Sequence, residues 1–140
     1  MTEERRKLFH PTSEILVNVY NLLLERKEIS FPIHEEQIFA LDSIAKTVNA
    51  EYFGFVRFPT NEDKAAAYFC FIIKNHPVTD GNKRLAVLWL DIFCNSVELK
   101  INNTVKLDEL AVGVEQEKSI EMEKLIQIVK ITLFQNEKPD

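Results

Sequence analysis

The chain has 140 residues, 46% of them hydrophobic and 28% charged, with a formal net charge of −5. That length favours one domain with a respectable core, and the three glycines and five prolines argue against a loop-rich or all-β chain. The acidic balance argues against a nucleic-acid surface, which carries a basic footprint, and no apolar run is long enough to span a membrane.

Residues 1–12 are charged and then punctuated by His10-Pro11-Thr12, a pattern expected of a mobile lead-in with His10 at the surface. Met1-Thr2-Glu3-Glu4-Arg5-Arg6 is followed by no apolar segment of the signal-peptide kind, so a cytoplasmic protein is expected. Thr12 or Ser13 offers a cap for a helix running to about Arg26, with Ile15, Leu16, Val19, Leu22 and Leu23 on one face. Glu28 to Pro32 breaks it. A second helix is expected from about Ile33 to Ala50, with Ile38, Leu41, Ala45 and Val48 at helical spacing and Glu35 and Glu36 in its first turn.

The segment Tyr52-Phe53-Gly54-Phe55-Val56-Arg57-Phe58 is aromatic and β-branched, and reads as a short hairpin or flap. Its aromatics either bury into the helices or stand free for a partner. Thr60-Asn61-Glu62-Asp63 then gives a cap signal, with Asp63 in the place of the usual Glu. An apolar helix follows to about Ile73, and a second one, Leu85 to Cys94, is apolar nearly all round and expected at the centre of the domain. Asn95 to Thr104 is a connector in which Val97, Leu99 and Ile101 alternate, as a short strand or an extended loop. Two more helices are expected, Leu107 to Val114 and Ser119 to Phe134, the latter with Met122, Leu125, Ile126, Val129 and Leu133 inward. Residues 136–140 should fray. Cys70 and Cys94 lie in the two apolar helices; their spacing permits a disulfide, but a reduced core pair is preferred.

Between the two apolar helices stands His76-Pro77-Val78-Thr79-Asp80-Gly81-Asn82-Lys83-Arg84. Pro77 stops the first helix. The second starts near Asn82, with unpaired N–H groups pointing into the loop. Those groups, the helix dipole and two cations make a phosphate site. Lys83 and Arg84 sit in a first turn, which is electrostatically wrong for cations unless an anion repays the repulsion. Asp80 can hold magnesium against such a phosphate, and also reads as an Asx turn with Gly81. Gly81 lets a phosphate approach the backbone, Asn82 can cap the helix, and His76 can take a proton from an attacking hydroxyl.

This stretch resembles the signature loop of the Fic/Doc superfamily. Fic members carry His-Pro-Phe-x-Asp/Glu-Gly-Asn-Gly-Arg, and Doc, the death-on-curing toxin, carries a related loop ending Ala-Asn-Lys-Arg. The chain departs at Val78, where Phe is usual; Gly81 is the Fic choice and Lys83 the Doc choice. The match, with its helical context, covers about residues 60–96. The resemblance implies a single all-α domain over residues 1–140 with a small β-hairpin flap. It also implies ATP as substrate, Mg2+ on Asp80, and His76, Asn82 and Arg84 as catalytic residues. Gly81, Asn82, Lys83 and Arg84 would bind the nucleotide phosphates. A target protein presenting a Ser, Thr or Tyr hydroxyl would dock beside the flap. By resemblance to Doc, elongation factor Tu is an implied target and an antitoxin chain an implied partner; oligomeric state is left open, and neither direct nucleic-acid binding nor a membrane partner is expected.

Three readings follow. The favoured one is Doc-like transfer of the terminal phosphate of ATP to a protein. The second is Fic-like transfer of AMP, and the third a catalytically silent binding module. Adenylylating members usually have Gly at the position of Lys83 and a second arginine at that of Val87, where it holds the outer phosphates; their absence points to phosphotransfer. Gly81 points the other way, and the intact His76, Asp80, Asn82 and Arg84 set argues against the silent module. Ser119 to Glu123 partly matches a self-inhibiting Ser-x-x-x-Glu helix of some Fic proteins, but Lys124 breaks the pattern, and an exposed helical glutamate is the favoured reading. No Cys/His spacing suggests zinc, and no Walker-type loop is present.

Overall fold

A computed structural model describes residues 8–135; most of the expected lead-in (1–7) and the expected frayed tail (136–140) lie outside them. The elements are α1 (Pro11–Glu25), α2 (Glu35–Val48), β1 (Glu51–Tyr52), β2 (Phe55–Val56), α3 (Asn61–Asn75), α4 (Asn82–Ser96), α5 (Leu107–Gln116) and α6 (Met122–Phe134). The architecture is the expected all-α one with a small antiparallel hairpin, in which Glu51 pairs with Val56 and Tyr52 with Phe55.

α3 occupies the centre, packed by α2, α4, α5 and α6. Its residues Ala65 to Ile73 are all buried, a run of nine positions without a charge. The sequence had suggested α4 for this role. In α4 only one stripe is buried, Leu85, Ala86, Trp89, Leu90 and Cys94. Val87 and Leu88 are half-buried, and the Asp91 carboxylate keeps its side of the helix in water. Trp89 and Phe93 pack against Tyr68 of α3, with ring centroids 5.5 and 5.4 Å from it. Cys70 and Cys94 are buried free thiols. Burial pushes both up to about 12, helped at Cys94 by Asp91 and Glu62, so they behave as small core residues.

The helix ends follow from capping chemistry. Thr60 caps α3 as expected: the Asp63 N–H donates to Thr60 Oγ1 at 3.0 Å, and the Thr60 hydroxyl donates to Asp63 Oδ2 at 2.8 Å. Lys130 of α6 holds the other Asp63 oxygen at 2.9 Å, which ties the start of the central helix to the last one.

α1 differs from expectation. The helix begins at Pro11, inside the expected lead-in, and its cap is neither Thr12 nor Ser13 but His10, whose Nδ1 accepts the Thr12 N–H at 3.1 Å. Ser13 is withdrawn from capping because its hydroxyl donates to the buried Asp42 of α2 at 2.5 Å. Asp42 also accepts the His10 N–H at 2.8 Å and pairs with Lys46 at 3.0 Å. His10 is therefore half-buried rather than a surface residue. The inner stripe of α1 is Leu16, Val19, Tyr20 and Leu23, while Ile15 faces outward. The inner positions of α2 fall as expected at Leu41, Ala45 and Val48, joined by Ile44.

The connector after α4 is not a strand: Val97 and Glu98 form a turn, Glu98 at φ +60°, with the Leu99 N–H donating to the Cys94 carbonyl at 2.8 Å, and among the described residues the hairpin is the one sheet. α6 starts at Met122 rather than Ser119. The Glu117 carboxylate accepts the Ser119 N–H at 2.9 Å and the Ile120 N–H at 3.2 Å, holding those residues in a turn. The hairpin aromatics Tyr52, Phe53 and Phe55 stay exposed, and of that segment's aromatics only Phe58 is buried. Phe53 and Gly54 both have positive φ, +52° and +81°, the turn that suits a two-residue hairpin loop. No helix among the described residues is long and apolar enough to cross a membrane.

The cap at His10 makes a pH prediction. Burial lowers its pKa from 6.5, against the opposing pull of Asp42. The folded state thus prefers the neutral ring, and the unfolded chain binds the proton first. Stability should fall as pH drops below about 6.5, a window above that in which the Asp42 and Asp63 carboxylates, both lowered, would protonate. Asparagine caps without titrating. Melting curves at pH 7 and 5 should show a larger loss in the wild type than in His10→Asn; equal losses would exclude the mechanism.

Candidate active site

α3 ends where its backbone turns left-handed at His76, with φ +48° and ψ 58°. For a residue other than glycine this costs about 1–2 kcal/mol, and the imidazole is exposed. Pro77 and Val78 then drop into the core, Val78 being 4% exposed. Val78 thus keeps the anchoring place in spite of its smaller side chain.

The loop is closed by one side chain. Asn82 Nδ2 donates to the Val78 carbonyl at 2.9 Å, and the Val78 N–H donates to Asn82 Oδ1 at 3.1 Å. The helix cap is Gly81, at φ +83°, so Asn82 is the first helical residue and not the cap. The Leu85 N–H reaches back to the Gly81 carbonyl at 2.8 Å. The N–H groups of Asn82, Lys83 and Arg84 have no intrahelical acceptor, as at any helix start.

The α1–α2 connector wraps this loop like a strap. A Cβ on Gly81 would collide with Ile29 Cγ2, so glycine is required here by both its φ and its neighbour. Arg84 donates to the Glu28 carbonyl. The Tyr20 hydroxyl fixes the strap from beneath through the Phe31 carbonyl at 2.5 Å. Its pKa is raised by burial and then by the Asp80 charge. At the start of α2, Gln37 Nε2 donates to Thr79 Oγ1 at 2.6 Å, which gives Thr79 a tethering contact.

His76, Asp80, Gly81, Asn82, Lys83 and Arg84, all singled out in the sequence, line one cavity of about 500 Å3 together with Thr79 and Glu115. Glu115, from α5, pairs with Lys83 at 3.0 Å. Nothing local in the sequence marks it, nor Ile29 or Gln37. Glu123 pairs instead with Arg57, whose guanidinium lies 5.0 Å from the Phe58 ring centre. The partial Ser119–Glu123 pattern therefore brings no carboxylate to the loop arginine. Among the described residues no three His, Cys, Asp or Glu side chains group as a metal cage. Asp80 is a single exposed carboxylate, which fits the habit of Mg2+ to take one or two carboxylates plus substrate phosphates.

A family model described as Fic/DOC family matches residues 10–94, well over half of the chain. The chain belongs to the Fic/DOC family. At the level of the family it is a Fic-type transferase. The matched part of this Fic/DOC chain runs from the His10 cap to Cys94, and so takes in the strap, the hairpin and the loop. α5 and α6, which supply Glu115 and Glu123, lie beyond it. Neither the curated proteins nor the solved structures give a significant match.

The strap yields a double-mutant prediction. Gly81→Ala should destabilise by about 2–4 kcal/mol, from the left-handed φ and the collision with Ile29. In an Ile29→Ala background the collision is gone and only about 1–2 kcal/mol should remain. Denaturant titration of the four proteins checks this; equal costs in both backgrounds would mean that Ile29 does not dictate the glycine.

Proposed function

We propose that this Fic/DOC protein transfers the terminal phosphate of ATP to a Ser, Thr or Tyr hydroxyl of a target protein. The observation that carries the reading is the gathering of His76, Asp80, Asn82, Lys83 and Arg84 in one cavity around the start of α4. The N–H groups of that start and the two cations favour a phosphate. His76, exposed at the rim, takes the proton of the target hydroxyl. The hydroxyl oxygen then bonds to the terminal phosphorus, and the bond from phosphorus to the bridging oxygen breaks, so that ADP leaves with the electron pair. Mg2+ held by Asp80 and the phosphates would neutralise charge on the leaving group. The second Nδ2 hydrogen of Asn82 and the Arg84 guanidinium hold the transferred group; the first Nδ2 hydrogen is engaged with the Val78 carbonyl.

Two features favour phosphate over AMP. Lys83 adds a cation where adenylylating loops have glycine, and Val87 withholds their second arginine. Gly81 no longer argues the other way, because Ile29 and the backbone conformation require glycine there whatever the chemistry. The exposed Tyr52 and Phe55 on the hairpin support a polypeptide substrate, which can extend the two-stranded sheet at its edge. By resemblance to Doc, we assign the protein to the toxin side of a toxin–antitoxin pair, with elongation factor Tu as the first target to try.

Label from γ-³²P ATP should appear on a protein in lysate, and label from α-³²P ATP should not; the reverse pattern would establish AMP transfer, and no label the silent module. His76→Gly should abolish transfer. It should also stabilise the chain by up to about 1 kcal/mol, because glycine adopts the left-handed backbone freely. A His76→Gly protein that labels at the wild-type rate would remove His76 from the chemistry.

A further inference from the structure

One polar side chain reaches the loop from α2. Gln37 is the third residue of that helix. Its N–H donates to the His34 carbonyl at 3.0 Å, and its Oε1 accepts the His34 N–H at 2.9 Å, the return half of a capping box. The Nε2 of the same amide donates to Thr79 Oγ1 at 2.6 Å, across 42 residues of chain. Thr79 immediately precedes Asp80, and both line the loop cavity.

Donor and acceptor chemistry fixes the direction of this contact. A backbone N–H only donates, so the Gln37 oxygen must face His34 and its NH2 must face Thr79. The Thr79 oxygen is thereby the acceptor, and its one hydrogen must go to another group. Among the described residues no acceptor for it lies within hydrogen-bond distance. The hydroxyl is thus a donor without a protein acceptor, on the wall of a cavity that also holds Lys83, Arg84 and the start of α4. Phosphate oxygens are strong acceptors, and a hydrogen bond to an ionised group is stronger than one to a neutral group. The identity of residue 37 points the same way. Glu fills the third position of a capping box as well as Gln does, but a carboxylate would take the Thr79 hydrogen for itself. Gln caps α2 equally and leaves that hydrogen to a ligand.

We infer that Thr79 donates to an oxygen of the phosphate chain bound by the loop, and that Gln37 is the positioning residue that sets the polarity of its hydroxyl. The inference rests on the phosphate reading of the loop and adds this pair of residues to it.

The full chain is titrated calorimetrically with Mg-tripolyphosphate. Thr79→Val keeps the shape of the side chain and removes the hydroxyl, and should weaken binding about tenfold, the scale of one hydrogen bond to a charged group. Thr79→Ala should give the same loss, so a packing defect in one variant does not decide the result. Thr79→Ser keeps the hydroxyl and should bind within about twofold of the wild type. Gln37→Glu retains the cap, so its melting temperature should hold, yet it reverses the hydrogen bond and should also weaken binding about tenfold. In the Thr79→Val background it should cost no more than about twofold, because no hydroxyl is left to reverse. An equal loss in both backgrounds would mean that the new charge acts by repulsion, and overturns the role of Gln37. Wild-type affinity in Thr79→Val and Thr79→Ala overturns the inference while the phosphate loop stands. No binding to the wild type overturns the loop reading and the inference together.

Discussion

The pair of hydrogen bonds between the Asn82 amide and the backbone of Val78 is the contact on which the site depends. It draws the start of α4 to the end of α3 across a loop that contains a proline, a left-handed histidine and a left-handed glycine. Once that closure is made, the unpaired N–H groups of α4, the exposed Asp80 and the His76 ring must share one cavity. Ile29 against Gly81 and Glu28 on Arg84 hold the closure from outside. The strap packs on the loop without adding a titratable group of its own at the site, and positioning is most of what the proposed phosphoryl transfer would ask of it.

The charge arrangement fits a site that exchanges partners. Lys83 pairs with Glu115 while both remain more than a third exposed. Such pairs contribute about 0–1 kcal/mol, so a polyanion can displace the carboxylate with little resistance. Arg84 is held by a neutral carbonyl rather than a carboxylate. The firmer charge contacts of the fold lie elsewhere: buried Asp63 pairs with Lys130 of another helix, and buried Asp42, paired with Lys46 in its own helix, accepts a hydrogen bond from Ser13 of α1. Rigid charges thus hold the framework, and exposed, exchangeable ones face the cavity.

Local signals in the sequence carried most of the framework and the contiguous part of the site. Pro77 and the polar run after it mark the end of α3, and Thr60 with Asp63 marks its start. The loop residues are legible because they are consecutive. Contacts between distant residues were not. Lys83 meets Glu115 32 residues away, and Arg84 meets Glu28 56 residues away; periodicity says which face is buried but not what packs on it. The same limit explains α1. Three side chains within four residues can cap it, and the choice of His10 is made by Asp42 on another helix, which occupies Ser13. It also explains why α4 looked central. Its outward stripe is apolar, and only the structure shows that Val87 and Leu88 face a cleft.

The proposed function requires the loop to present the start of α4 to the terminal phosphate of a nucleotide. A crystal structure with Mg2+ and a non-hydrolysable ATP analogue tests it most directly. The terminal phosphate should lie over the N–H groups of Asn82 to Arg84, within reach of His76, with the metal on Asp80. An analogue whose α-phosphate occupies that place, or one bound with the loop empty of phosphate, would contradict it.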